Sequence, residues 1–219
     1  DYKVTGVQTC ALPISGFFSQ EECHCMTKSI QFYYDFSSPY TYIAHKKIRE
    51  IQKKNSIKFI YCPMLLGGLH KLAGITANAF IKNKNEFMRR DCEMVSKKLK
   101  IDFKFNDYFP ISSLNLMRGS LVTNKDISDK YIDCFFDAYW RDNINLSDDE
   151  IFKEKLKDLQ IDVDNFLKSI SKKETKEKLI KLTQDAFDKK IFGAPTFICN
   201  DKIFWGQDRL DYAIEEFSS

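Results

Sequence analysis

The chain has 219 residues, 43% hydrophobic and 30% charged, a length and balance that suit one soluble domain or two small intertwined ones. Its net charge of +3 arises from 34 basic and 31 acidic residues, and the lysines are interleaved with Asp and Glu, as between Lys168 and Lys190, so a solvated helical face is expected rather than a nucleic-acid surface. No uninterrupted apolar run approaches the ~18 residues of a membrane span, whereas 19 Phe and 10 Tyr can fill a large core or line an aromatic pocket.

Residues 1–25 read as a foreign leader. Val4-Thr-Gly-Val-Gln-Thr-Cys-Ala-Leu-Pro-Ile14 resembles the translation of a sequencing adapter, which makes Met26 the expected native start. The Cys10–Ile14 stretch is also too short and badly flanked for a secretory segment. Cys10 and the tempting Cys23-His24-Cys25 then carry no functional weight. The remaining Cys62, Cys92, Cys134 and Cys199 are widely spaced, form no C-x-x-C pair and have apolar neighbours. Reduced core thiols in a cytoplasmic protein are the expectation, with no metal site.

Ile30 to Tyr34 is apolar and aromatic, as befits a short buried strand. After Ser38-Pro39, the residues Ala44, Ile48 and Ile51 recur at helical spacing and predict an amphipathic helix to about Asn55. Ile57 to Cys62 reads as a second strand, ended by Pro63, so the chain opens with a parallel β-α-β unit. From Gly67 to Ser171 helical periodicity dominates: Met88, Cys92, Val95 and Leu99, then Leu114, Met117 and Leu121, then Tyr131, Phe135 and Ala138. Ser147-Asp-Asp-Glu150 has the form of a capping box before Phe152, Leu156 and Leu159, and Val163, Phe166 and Ile170 follow. A helix from Lys172 to Lys190 is expected to stop at Gly193. Thr196–Cys199 and Lys202–Trp205 form a hairpin around Asn200-Asp201, and Asp208–Phe217 is the closing helix.

The order is β-α-β, a helical stretch, then α-β-β-α. This predicts an α/β thioredoxin-like fold with an inserted all-helical domain, the thioredoxin-like part being residues 26–66 and 172–219 and the insert 67–171. No repeats or low-complexity linkers interrupt the chain, so the insert is expected to dock rather than swing.

Three short segments converge on one place in such a fold. Ser38 opens a helix, where unpaired N–H groups and partial positive charge favour an anion such as a thiolate. A serine there can hydrogen-bond a sulfur but cannot supply one; equally, Ser followed by Pro is ordinary helix-start grammar. Gly193-Ala194-Pro195-Thr196-Phe197 has Pro immediately before a strand, the pattern of a cis-proline loop whose Ala194 backbone could pair with an extended peptide, or simply a helix-to-strand turn. In Phe204-Trp205-Gly206-Gln207-Asp208-Arg209-Leu210, Asp208 could cap the final helix or receive an ammonium group, and Gln207 and Arg209 could bind carboxylates. Phe36, Tyr40 and Trp205 could line an aromatic pocket or belong to the core. His45 and His70 read as ordinary surface or helix residues, and no Ser–His–Asp hydrolase motif is present.

Together these segments resemble the 2-hydroxychromene-2-carboxylate isomerase and kappa-class glutathione transferase family, within the DsbA-like group. Phe32-Tyr-Tyr-Asp-Phe-Ser-Ser-Pro-Tyr-Thr-Tyr42 is similar to the family's first-strand motif, and Phe192–Phe197 and Phe204–Leu210 to its closing motifs, the last nearer the isomerase branch. Cys62-Pro-Met-Leu-Leu-Gly-Gly-Leu-His-Lys71 and Phe109-Pro110 through Arg118 fall in step. The chain departs from the family where Gly74-Ile75 stands in place of a commonly polar Asn contact. The resemblance implies reduced glutathione as cofactor, with Ser38 on its sulfur, Ala194 and Pro195 on its cysteinyl backbone, and Gln207, Asp208 and Arg209 at its glutamyl end. It implies a small aromatic or unsaturated oxo-acid substrate near Tyr40, Arg118 and Trp205, no nucleic acid or membrane partner, and a homodimer. The expected reaction is glutathione-dependent isomerisation; the alternatives are a kappa-class transferase or peroxidase and a glutathione-binding module without turnover.

Overall fold

The computed structural model describes residues 28–219, so the leader and its cysteines lie outside the described residues. Four strands form one mixed sheet in the order β2-β1-β3-β4: β1 (Ile30–Tyr34), β2 (Phe59–Pro63), β3 (Thr196–Cys199) and β4 (Lys202–Trp205). β1 pairs parallel with β2 and antiparallel with β3, which pairs antiparallel with β4. The parallel step is made by α1 (Pro39–Lys54), whose Ile43, Ala44 and Ile48 face the core. β1 sits between two partners, and its Ile30, Phe32, Tyr33 and Tyr34 are buried, with only Gln31 partly exposed.

The helical stretch comprises α2 (Leu66–Ala73), α3 (Lys82–Leu99), α4 (Leu114–Val122), α5 (Lys125–Trp140), α6 (Asp149–Asp158) and α7 (Val163–Ser171), followed by α8 (Lys173–Asp188). One aromatic core runs through these helices and the sheet. Phe36, at the end of β1, is fully buried against Tyr131, Phe135 and Phe136 of α5. Each such ring contributes about 1.5–3 kcal/mol by leaving water, so the two parts share their main source of stability. Phe36 is therefore core and does not line a pocket.

The structure corrects several sequence expectations. The stretch from Ile101 to Ser113 is not helical; it is irregular chain with a turn at Asp107-Tyr108 and a cis Phe109–Pro110 bond. α6 is capped by Asp148, whose carboxylate accepts from the N–H groups of Glu150 and Ile151, rather than by Ser147. A carboxylate is the stronger acceptor and also complements the helix dipole. α8 stops at Asp188, and Lys190 takes the left-handed conformation expected of Gly193. The closing helix α9 (Leu210–Ser218) is preceded by a 3₁₀ turn over Gln207–Arg209, so Asp208 is not its cap. His45 is fully buried on α1 rather than at the surface: Nδ1 lies 2.8 Å from the Tyr61 hydroxyl and Nε2 2.9 Å from Asp133 Oδ1.

Candidate functional site

Ser38 is the N-cap of α1 with Pro39 at the first helical position, and its side chain accepts from Thr41 N at 3.2 Å. The fold gives the same hydroxyl a second task. Ser38 Oγ donates to the carbonyl of Ala194 at 3.2 Å, linking the helix start to the loop before β3. The Ala194–Pro195 bond is cis, as the sequence pattern suggested. Thr196 Oγ1 donates to the carbonyl of Gly193 at 2.8 Å and braces that loop.

The third segment joins through the backbone. Gly206 N donates to the carbonyl of Pro195 at 2.9 Å, and the Gln207–Arg209 turn packs against α1. Gly206 has φ of +109°, a conformation open to glycine, and a Cβ there would meet Asp208 Oδ1 at 2.7 Å. Gln207 is buried, while Asp208 and Arg209 are exposed and form an ion pair at 3.4 Å. Exposed to water, such a pair contributes little to stability.

Glycine at 193 serves a close approach instead of a helix stop. A Cβ there would lie 2.6 Å from Trp205 Nε1. The indole is 52% exposed and packs against Phe192 with ring centroids 4.9 Å apart, making an aromatic ledge beside the Ala194 loop. Phe192 opens the Phe192–Phe197 motif, but its part in the ledge shows only in this pairing.

The other candidates divide. Tyr40 gives its hydroxyl to Asp91 of α3 at 2.7 Å, and burial, reinforced by that carboxylate, pushes its pKa well up. It stays neutral at ordinary pH. Arg118 makes no ion pair among the described residues, and its buried Nε has no hydrogen-bond partner. Such a guanidinium is suited to an incoming carboxylate. His70 is half-buried on α2; burial lowers its pKa against the opposing charge of Asp35. Ile75 is exposed just beyond the left-handed Gly74.

No residue of the described chain provides a ready thiolate. Cys92 and Cys199 are buried, whereas Cys62 and Cys134 are only partly so, a correction to the expectation of four core thiols. Burial raises all four pKa values, that of Cys62 to about 11. Such thiols are poor nucleophiles at neutral pH. The described residues contain no disulfide, no cluster of metal-binding side chains, and no helix long and apolar enough to cross a membrane.

Asp35 and Trp140 were missed from the sequence. Trp140 Nε1 donates to the carbonyl of Phe36 at 2.8 Å, two residues before Ser38, and nothing local in the sequence points to that bond. Asp35 carried a legible signal, since Asp two residues before Ser is Asx-turn grammar.

The DSBA-like thioredoxin domain family matches residues 29–217. The chain is similar to the 2-hydroxychromene-2-carboxylate isomerase of Sphingobium xenophagum, at 26% identity over 189 residues, covering 85% of this chain and 96% of the relative. It is also similar to the enzyme of that name from Pseudomonas sp. (strain C18), at 23% identity over 85% of this chain and 88% of the relative. Among solved structures, a 2-hydroxychromene-2-carboxylate isomerase superposes with a TM-score of 0.79 at 22% identity, over 86% of this chain and 94% of that one. The cytosolic disulfide reductase DsbM from Pseudomonas aeruginosa with GSH superposes with a TM-score of 0.61 at 10% identity, over 87% and 96%.

Proposed function

The chain belongs to the DSBA-like thioredoxin domain family, and from that premise we propose that it is a glutathione-dependent isomerase of the 2-hydroxychromene-2-carboxylate isomerase type. The isomerase part is supported by relatives of that name along 85% of the chain. The glutathione part rests on one observation above the others: a serine hydroxyl stands at the helix start, joined to the carbonyl before the cis-proline, with no reactive thiol among the described residues. The DsbM structure with GSH supports the same ligand on a related fold.

Glutathione, held by Ser38 at its sulfur and by Ala194 and Pro195 at its backbone, would supply a nucleophilic thiolate for reversible addition to a conjugated carbon. The chain's own residues stabilise that charge. Ser38 has a single hydroxyl proton, which in this structure lies toward Ala194 O. A ligand N–H on the Ala194 carbonyl would free the Ser38 proton to face a sulfur. Lowering a thiol pKa by ~2 units from about 8.5 needs about 3 kcal/mol of selective stabilisation. A charge-assisted hydrogen bond contributes ~1.5–3 kcal/mol and a helix start up to ~2, so Ser38 and α1 suffice together. Gln207, Asp208 and Arg209 hold the ligand's charged end, the Phe192–Trp205 ledge receives a flat unsaturated acid, and Arg118 receives its carboxylate.

The test is an assay of cis/trans or ring-opening isomerisation of an unsaturated aromatic oxo-acid with total free thiol followed in parallel. Isomerisation that requires glutathione and leaves its concentration constant is expected. Depletion of glutathione by electrophiles or peroxides would make the protein a kappa-class type transferase or peroxidase instead. Binding without any turnover would make it a binding module.

A further inference from the structure

Asp35 is a fully buried carboxylate at the end of β1, and its hydrogen bonds lead in two directions. Oδ1 accepts from Ser37 N at 2.8 Å and from the Ser37 hydroxyl at 2.9 Å. The carbonyl of the same residue accepts from Ser38 N at 3.2 Å. These bonds close the turn that delivers Ser38 to the start of α1. Oδ2 accepts from Leu66 N at 2.7 Å, at the first residue of α2.

α2 needs that bond. Its N-cap is Leu65, which has no side-chain oxygen to offer, and the leading N–H groups of a helix have no partner inside it. Thr183 Oγ1 of α8 accepts from Leu65 N at 3.0 Å, and Asp35 accepts from Leu66 N. One carboxylate therefore serves as the missing cap of α2 and as the brace of the Ser38 turn. It also occupies the hydroxyl of Ser37, so that of the two adjacent serines only Ser38 has its side chain directed at the Ala194 loop.

We propose that Asp35 is a positioning residue for Ser38, coupling the active-site helix start to the first helix of the insertion. Its contribution to turnover rests on the glutathione reading above; its hold on the two helix starts does not.

The two effects of Asp35 can be separated by a pair of variants. Asp35→Asn turns an amide donor toward either Leu66 N–H or Ser37, so one side of the brace is lost. Thr183→Val removes the other α2 contact and leaves the Ser38 turn intact. Hydrogen–deuterium exchange of the ligand-free proteins should show faster exchange at residues 36–42 and 66–70 in Asp35→Asn, but only at the latter in Thr183→Val. With glutathione and substrate, Asp35→Asn should lower kcat about tenfold with KM changed less than about twofold, and weaken the thiolate absorbance of the complex. Thr183→Val should leave both near wild type. If Asp35→Asn does not fold, Ser37→Ala removes one bond to the carboxylate and should speed exchange at residues 36–42 with a smaller loss of kcat. Equal effects of Asp35→Asn and Thr183→Val on kcat, or unchanged exchange at 36–42 in the surviving Asp35→Asn or Ser37→Ala protein, would overturn the proposal. A wild-type protein with no thiolate absorbance would sink the glutathione reading, while the exchange data would still judge the positioning role.

Discussion

Ser38 Oγ and the carbonyl of Ala194 are joined by a 3.2 Å hydrogen bond across 156 positions of sequence. The bond brings the start of α1 and the cis-proline loop to one point, and the properties of that point are open to measurement.

Ser38→Ala removes both the α1 cap and the hydroxyl proposed to face a sulfur. Loss of a cap of this kind costs about 0.5–2 kcal/mol, so the variant should fold. The pKa of the bound glutathione thiol should rise by at least about one unit, as read by titrating thiolate absorbance in the complex. An unchanged titration would remove Ser38 from the chemistry and leave it as a helix cap.

Arg118→Gln keeps hydrogen-bonding capacity and removes charge. For a carboxylate substrate KM should rise about tenfold or more, while glutathione affinity stays within about twofold. If KM is unaffected, or if an uncharged ester of the substrate is affected equally, Arg118 does not hold the carboxylate.

Trp140→Phe leaves the buried carbonyl of Phe36 without its donor. Denaturant unfolding should show a loss of about 1–3 kcal/mol, the usual cost of an unpaired buried polar group. Because Phe36 lies two residues before Ser38, turnover should fall as well. A loss of stability with kcat unchanged would confine Trp140 to the core.

His45 gives the protein a pH-dependent stability. Burial lowers its pKa, outweighing the favourable Asp133 carboxylate, with Arg49 and Lys46 adding to the lowering. Burial would raise Asp133, but His45 and Arg49 together hold its carboxyl below the ordinary range. The unfolded chain therefore binds the His45 proton at higher pH than the folded one does. The stability from neutral His45 is complete above pH 6.5, the ordinary value, and is lost as pH falls from there through the lower folded value. Thermal melts between about pH 5 and 8 should show wild type losing Tm below about 6.5 and His45→Gln giving a flatter profile. Parallel curves would contradict this account.

Much of the fold was legible because its signals are local. Apolar runs and helical spacing identified the strands and most of the helices within a few residues, and Ser38-Pro39 marked the start of α1. The misreadings came where a distant neighbour decided. Gly193 looked like a helix stop because glycine often is one, yet its missing side chain makes space for the Trp205 indole. His45 reads as a surface or helix residue; it lies on α1, but helical periodicity says nothing about what covers a face, and the Tyr61 and Asp133 side chains meet its ring.

The sequence by itself determined a β-α-β opening, a long helical stretch and a closing hairpin with its helix, since hydrophobic period and turn chemistry act over a few residues. It also marked Ser38, Pro195 and Gln207–Arg209 as candidates. Only the tertiary structure decided that the Ser38 hydroxyl meets Ala194, that Asp35 braces one helix start while capping another, and that Trp140 ties the helical stretch to Phe36. Those bonds join groups between 31 and 156 positions apart. Their partners are chosen by the packing of the aromatic core, where a buried polar group must find a donor or acceptor in whatever neighbour the fold supplies.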